Sequence, residues 1–238
     1  NFQSIKGLLK PLFEFQDLNL GELFDIILSQ HEDIGTTIKV EEDVFGVFSY
    51  IPITYYKTHN KFEGFLSKFE AYILDKAKNF YKDKIENFNK LKNLISGNES
   101  KIGLLINERG MNLPEELLPP ALKCICNELK ECQEEDGYDG KYEFDYLLII
   151  SKFVKIISHG KKGKKRNLGP NSNYDQIAFY KFETPLFIEE AEYSFEYKVP
   201  YTEKGLENLE NQNEPQFVNI TLIKKDKYWN VLKNKLGV

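Results

Sequence analysis

The sequence predicts an α/β fold of the α+β kind, in which helices flank a mixed, largely antiparallel central sheet. Segments with apolar residues at three-and-four spacing recur along the chain, and segments with a period of two lie between them. The 238 residues suffice for one full-sized core, and 18 Phe and 14 Tyr supply rigid rings to fill it. We therefore expect a single domain over residues 1–238.

Helices and strands are expected to be mixed throughout the chain. Apolar stripes predict helices over residues 5–12, 20–28, 61–96 and 119–132, a short helix opened by Thr184 and Pro185, and a final helix carrying Trp229, Leu232 and Leu236. Alternation or short apolar runs predict strands over residues 36–40, 44–54, 101–107, 142–150, 176–182, 193–199 and 217–223.

Two long segments of low hydrophobicity interrupt this pattern. Residues 159–173 contain three Gly and a Pro among basic residues, which predicts a mobile basic loop. Residues 200–216 are acidic and rich in Asn, which predicts a second loop.

The charge balance favours a protein partner over nucleic acid. The 37 acidic and 32 basic residues give a net charge of -5, which does not build the broad basic surface that phosphates require. A basic protein is easier to accommodate. The sequence has no apolar run of about 18 to 20 residues and does not open with a signal peptide, so we expect a soluble domain that does not contact membranes.

Three cysteines, Cys124, Cys126 and Cys132, fall within one predicted helix. Residues two apart on a helix point about 200° away from each other, so the C-x-C pair could not hold one metal ion. We predict core thiols in a reducing compartment, without a metal.

A basic cluster lies inside the predicted mobile loop. It has three interpretations: a solvated loop, a nuclear-import signal or a nucleic-acid contact. Because one exposed cluster on an acidic protein gives weak phosphate affinity, nuclear import is the functional interpretation we prefer. The candidate residues are Lys161, Lys162, Lys164, Lys165 and Arg166.

Residues 101–129, KIGLLINERGMNLPEELLPPALKCICNEL, resemble the signature of the BCCIP family: an apolar strand, then N/S-E-R-x-x-N-x-P, then a Pro-opened helix. Other segments agree in order, including LSQHEDIGTTIKV, VFGVFSYIPI and YLLIISKFV. The sequence departs from the family at Gly110, where an aromatic residue is usual, and residues 208–215 have no match. The signature turn comprises Glu108, Arg109, Asn112 and Pro114.

The resemblance implies a fold like that of the GNAT acetyltransferases, used without acetyl transfer or a cofactor. It implies a protein-binding adaptor or chaperone for a basic client such as a large-subunit ribosomal protein. Such a role would link the chain to ribosome biogenesis and to the nuclear transport machinery, in nucleus and cytoplasm. A scaffold in genome maintenance or cell-cycle control is the alternative. Because the family carries an acidic tail ahead of the domain, we expect a further segment upstream of Asn1.

An active acetyltransferase is a weaker interpretation. The nearest match to a pyrophosphate-binding turn begins at Arg166, but Pro170 removes an amide donor and Asn171 replaces a small residue. Glu108 and Arg109, with Asn112, could be a general base with an electrostatic clamp. Polar residues at a strand-to-helix corner are more often structural, so we predict no enzyme activity.

Two groups of acidic residues are candidates for binding a basic client. The first lies on the predicted strand over residues 142–150, and the second on the short late helix. An ordinary solvated acidic face explains any one of them equally well. The five residues are Glu143, Asp145, Glu189, Glu190 and Glu192.

Overall fold

The computed structural model describes residues 2–13, 16–156, 176–200 and 215–238. The helices are α1 (Phe2–Leu9), α2 (Leu20–Ser29), α3 (Ile53–Thr58), α4 (Glu63–Phe80), α5 (Ile85–Ser96), α6 (Leu118–Glu134), α7 (Thr184–Glu189) and α8 (Lys225–Val231). Short 3-10 turns occupy Lys10–Phe13 and Glu115–Leu117, and a π-helical turn, Leu232–Leu236, continues α8. The strands are β1 (Thr36–Val40), β2 (Asp43–Ile51), β3 (Ile102–Arg109), β4 (Tyr146–Ile156), β5 (Gln176–Phe179), β6 (Tyr193–Lys198) and β7 (Gln216–Lys224).

The described strands form one sheet in the order β1-β2-β3-β4-β7-β6, with β5 also paired to β4. The β3–β4 pair is parallel, and each of the other pairs is antiparallel. This arrangement confirms the mixed, largely antiparallel sheet with flanking helices.

Both faces of the sheet are covered because the central strands are apolar on both sides. On β3, Leu104 and Ile106 pack with α1, α2, α4 and α5 in one core cluster. Leu105 points to the other face, where it packs with α6 and α8. Among the described residues, no helix is long and apolar enough to cross a membrane.

The predicted strand over residues 142–150 begins too early. Residues 142–145 form a turn region in which the Tyr142 amide donates to the Tyr138 hydroxyl (2.6 Å) and the Asp145 amide donates to the Lys101 carbonyl (2.7 Å). Tyr142 and Phe144 are buried against Tyr50, so their alternation reflects ring packing rather than a strand ladder. Glu143 and Asp145 therefore do not lie on a strand face.

Further boundaries differ from the sequence prediction, and the strand expected over residues 176–182 ends at Phe179. The strand expected over residues 44–54 ends at Ile51, since Pro52 cannot donate to a ladder and Thr54 already lies in α3. The helical pattern over residues 61–96 is two helices, because the chain turns after the buried Tyr81. This turn brings α5 back, so that Leu91 packs in the same core as α4.

The cysteine prediction holds for two of the three residues. Cys126 and Cys132 are buried in α6, and burial raises the pKa of Cys126 to about 11. Cys124 is exposed, because it lies on the solvent face of the same helix, so the core-thiol prediction is wrong for this residue. Within the described ranges, no group of three His, Cys, Asp or Glu side chains is placed to hold a metal.

The predicted loop over residues 159–173, with its five basic candidates and the Arg166–Asn171 turn, lies outside the described residues. The same holds for residues 201–214 of the predicted acidic loop.

Candidate functional site at the parting of β3 and β4

The two parallel strands at the centre of the sheet pair over only part of their length. Ile102 pairs with Tyr146, and the ladder ends at Leu105 and Ile149. Beyond that point β3 continues beside β2, while β4 pairs with β5 on the side that β3 has left. A gap therefore opens between the carboxyl end of β3 and the middle of β4.

A buried ion pair between Arg109 and Glu183 lies at this gap. Arg109 Nη1 and Nη2 donate to Glu183 Oε1 (2.7 Å) and Oε2 (2.8 Å), and Asn107 Nδ2 donates to Glu183 Oε1 (2.8 Å). The side chains of Arg109 and Glu183 are 7% and 1% exposed. Burial alone would raise the pKa of Glu183, but the hydrogen bonds and charge of Arg109 outweigh it and lower that pKa.

A second ion pair lies on the opposite face of β3, where Glu108 points away from Arg109. The Lys181 ammonium donates to the Glu108 carboxylate and to the carbonyl of Asn107. Burial raises the pKa of Glu108, and the charges of Lys181 and Lys152 only partly offset this. The segment from Lys181 to Glu183, just ahead of α7, therefore holds the end of β3 through both faces of the sheet.

A cavity of about 460 Å³ opens beside these pairs. Its walls combine apolar side chains of the N-terminal helix and turn with charged residues of β3 and β4 and with residues that follow β3. The lining includes Leu8, Pro11, Leu12, Glu108, Met111 and Glu115.

A larger cavity of about 550 Å³ lies between α3, α4, α5 and the sheet. Its lining is mostly apolar and includes Leu66, Phe69 and Ile95. The Lys57 ammonium at this cavity donates to Glu70 (2.8 Å) and to the Ser96 carbonyl (2.8 Å). Its charged groups thus fasten α3 to α4 and α5.

Two of the four residues of the predicted signature turn lie together in the gap, and two lie outside it. Glu108 and Arg109 both lie in the gap, each in an ion pair. Asn112 is exposed beyond the end of β3, and Pro114 precedes the 3-10 turn that leads into α6. The structure therefore supports the structural interpretation of Glu108 and Arg109 as corner residues held by partners.

All five acidic client-binding candidates are bonded within the chain. Glu143 pairs with Lys101, and Asp145 Oδ2 accepts a hydrogen bond from the Lys101 amide (2.7 Å). The late group does not lie on one helix as predicted, because α7 ends at Glu189 and Glu192 directly precedes β6. Its members pair with lysines around α8: Glu189 with Lys235, Glu190 with Lys227 and Lys235, and Glu192 with Lys224. These contacts reduce the charge that the five residues offer to a partner, and whether they bind one stays a prediction.

Sequence reasoning did not find Lys181 or Glu183. The available signal was weak: two charged residues in the KFE sequence between an apolar strand and a Thr-Pro helix start. Charged residues are rarely buried without partners, so a charge flanked by Tyr180, Phe182 and Phe187 could have suggested an ion pair.

The fold and this gap define a class: an α+β protein with a mixed seven-stranded sheet whose central parallel strands part around buried ion pairs. Comparison with known proteins identifies the family. The BCCIP family model matches residues 1–187, so the chain belongs to the BCCIP family.

Individual relatives agree with this assignment. The chain is 31% identical to Protein BCP1 of Debaryomyces hansenii, over 81% of the chain and 66% of that protein. It is 31% identical to the Protein BCCIP homolog of Danio rerio, over 84% of the chain and 65% of that protein. The match thus spans slightly less than two thirds of each of these relatives.

A solved structure shares the fold. The crystal structure of BCP1 from Saccharomyces cerevisiae matches with a TM-score of 0.61 at 17% identity, over the whole chain and 82% of the other protein.

Proposed function

We propose that the chain is a non-enzymatic chaperone or transport adaptor for a basic client, in particular a large-subunit ribosomal protein. The domain would bind the client before it joins the ribosome and would accompany it through nuclear transport, including export. We propose in addition that its fold is GNAT-like and is used without acetyl transfer.

One observation carries the non-catalytic part of the proposal. The four charged side chains at the parting of β3 and β4 are bonded to one another, Arg109 to Glu183 and Lys181 to Glu108. A general base must reach a proton on a substrate. Glu108 Oε1 is already bonded to the Lys181 ammonium, and separating this pair would leave a buried charge unpaired at high cost.

The charge of the chain supports a basic client. With a net charge of -5, the domain attracts a positively charged protein at long range, which speeds encounter. Family membership supports only the non-enzymatic part of the proposal, because the names of the related proteins do not indicate an enzyme.

The basic residues Lys161, Lys162, Lys164, Lys165 and Arg166 belong to the same proposal as a nuclear-import signal. An adaptor that meets its client in the cytoplasm and works in both compartments needs such a route.

The test uses the purified chain and a panel of individually purified eukaryotic large-subunit ribosomal proteins, with lysozyme as a basic control protein. We expect submicromolar binding to one or a few of them at about 0.15 M salt. The bound ribosomal protein should also stay in the supernatant after centrifugation, because a chaperone keeps its client soluble. Lysozyme should bind far more weakly. Binding of acetyl-CoA together with acetylation of any panel member would contradict the proposal, as would equal binding to all basic proteins.

A further inference from the structure

Three exposed apolar side chains lie at one end of the sheet, and a fourth lies in the turn between β3 and α6. Val40 ends β1, Phe45 lies near the start of β2, Met111 follows β3, and Leu117 precedes α6; they are 60%, 42%, 78% and 39% exposed. A single exposed apolar residue is ordinary, but several at one end of a sheet suggest a contact surface.

The strand pairing brings Val40, Phe45 and Met111 to the same end, and Leu117 follows Met111 by six residues. Val40 pairs with Asp43 in the β1–β2 hairpin, and Gly46 pairs with Arg109. The Gly110 amide then donates to the Phe45 carbonyl (2.8 Å), which places Met111 beside the start of β2. We call Val40, Phe45, Met111 and Leu117, with the acidic residues described next, the β1–β3 end surface.

The apolar side chains are bordered by exposed carboxylates. Three of them, Glu41, Glu42 and Asp43, form the tip of the hairpin, and Glu115 and Glu116 lie in the 3-10 turn. None of these five has an ion-pair partner within the part of the chain that the structure describes, in contrast to Glu189, Glu190 and Glu192. Lys39 is a single basic residue next to the hairpin tip. It offsets only one of the five carboxylates, so the local charge remains negative.

The cavity at the parting of β3 and β4 opens onto this surface, since Met111 and Glu115 line it. Leu8 and Leu12 form its apolar wall. Two of its cationic side chains, Arg109 and Lys181, are neutralised by the buried carboxylates. Lys152 also lines the cavity, and its charge acts on Glu108.

We infer that the β1–β3 end surface binds a Lys/Arg-rich segment of the client whose apolar side chain enters the cavity beside Met111. This inference rests on the proposed function and adds the site to it. Interfaces of this kind place apolar anchors at the centre and charges at the rim. The flexible thioether side chain of Met111 can adapt to an anchor of varied shape.

The charge pattern decides between possible occupants. An acidic peptide or a phosphate backbone would meet the five unpaired carboxylates and be repelled, whereas a basic segment is attracted. A second copy of this chain would bring the same acidic surface against itself in a two-fold contact.

Three variants test the site. Met111→Asp puts a charge among the apolar side chains at a position that is mostly exposed, so folding should be retained. The triple variant Glu42→Lys, Glu115→Lys and Glu116→Lys reverses the charge at three of the five carboxylates. Glu41 is left unchanged, because its φ of 55° is unfavourable for most residues. The matched control is Glu131→Lys, Glu134→Lys and Glu135→Lys, which makes the same charge change at the other end of α6, also on exposed carboxylates.

The measurement is the affinity of each folded variant for the large-subunit ribosomal protein that the wild-type chain binds most tightly. We expect Met111→Asp and the Glu42 triple variant to weaken binding about tenfold or more, and the control to change it less than about threefold. Equal weakening by the control would show that only net charge matters and would overturn the site.

Two other outcomes separate the claims. Wild-type binding that neither site variant weakens would reject the β1–β3 end surface and leave the proposed function standing. If the wild-type chain binds no member of the panel, both are wrong. A separate measurement is the oligomeric state of the chain alone by analytical ultracentrifugation. A dimer that Met111→Asp dissociates would assign the surface to self-association and overturn the inference.

Discussion

The guanidinium group of Arg109 donates to both carboxylate oxygens of Glu183, across 74 residues of sequence. Arg109 ends β3 and Glu183 precedes α7, so this fork-to-fork contact joins the end of a central strand to the segment after β5. Asn107 donates to the same carboxylate. The pair therefore fixes the side of the cavity where the strands part.

Removing one partner of this pair should destabilise the fold strongly. We expect Arg109→Ala to lower the free energy of unfolding by about 3–5 kcal/mol, because Glu183 would remain buried and charged. The double variant Arg109→Met with Glu183→Leu should cost much less, since no unpaired charge remains. Denaturant unfolding measures both. Equal losses in the single and double variants would contradict this account of the pair.

Because the pKa of Glu183 is lowered in the folded state, the free energy of unfolding depends on pH in the acidic range. A carboxyl group with a lowered pKa in the folded state contributes stability above its unfolded pKa of about 4.3, and loses it as pH falls through the folded value. Glu183→Gln should therefore flatten the loss of stability below about pH 4.3. Glu108 has a raised pKa, so its protonation in acid favours the fold, and Glu108→Gln should steepen the loss. Unfolding curves between neutral and acidic pH test both signs.

Gly103 allows a close approach between strands and a ring. A Cβ atom at this position would overlap the ring of Tyr50, which is buried over β3. Gly103→Ala should cost about 1–3 kcal/mol through overpacking. Gly7→Ala is the matched control, because nothing lies within 4 Å of its Cβ in α1, and it should stabilise the chain by about 0.5–1 kcal/mol. A neutral Gly103→Ala would show that the ring moves freely.

The basic cluster should act in transport and not in stability. Replacing Lys161, Lys162, Lys164, Lys165 and Arg166 by Ala should change the free energy of unfolding by no more than about 0.5 kcal/mol, while nuclear accumulation falls. Fluorescence microscopy of tagged variants measures the second effect. Unchanged localisation would remove the import interpretation.

The periodic segments of the fold could be predicted from sequence because each has one dominant pattern. The helix α6 follows from the stripe of Leu122, Ile125 and Leu129, and the buried strand β3 follows from its apolar run. The region around Tyr142 could not, because a period of two arises equally from a strand and from two rings packed on Tyr50. The hydrogen bond from the Asp145 amide to the Lys101 carbonyl is set by tertiary structure.

The candidate site was predictable only on one side. The ERxxN sequence identified Glu108 and Arg109, but their partners Lys181 and Glu183 lie more than 70 residues away and carry no local pattern. The end surface was missed for a related reason. Its apolar and acidic residues come from segments about 70 residues apart in the sequence, and the pairing of β2 with β3 brings these segments together.

The most direct measurement of the central claim is the association rate with the bound large-subunit ribosomal protein at two salt concentrations. Screening shortens the Debye length from about 10 Å at 0.1 M to about 3 Å at 1 M. If acidic complementarity guides recognition of a basic client, surface plasmon resonance should show the association rate falling steeply with salt while the dissociation rate changes little. An association rate that does not change with salt would contradict the account.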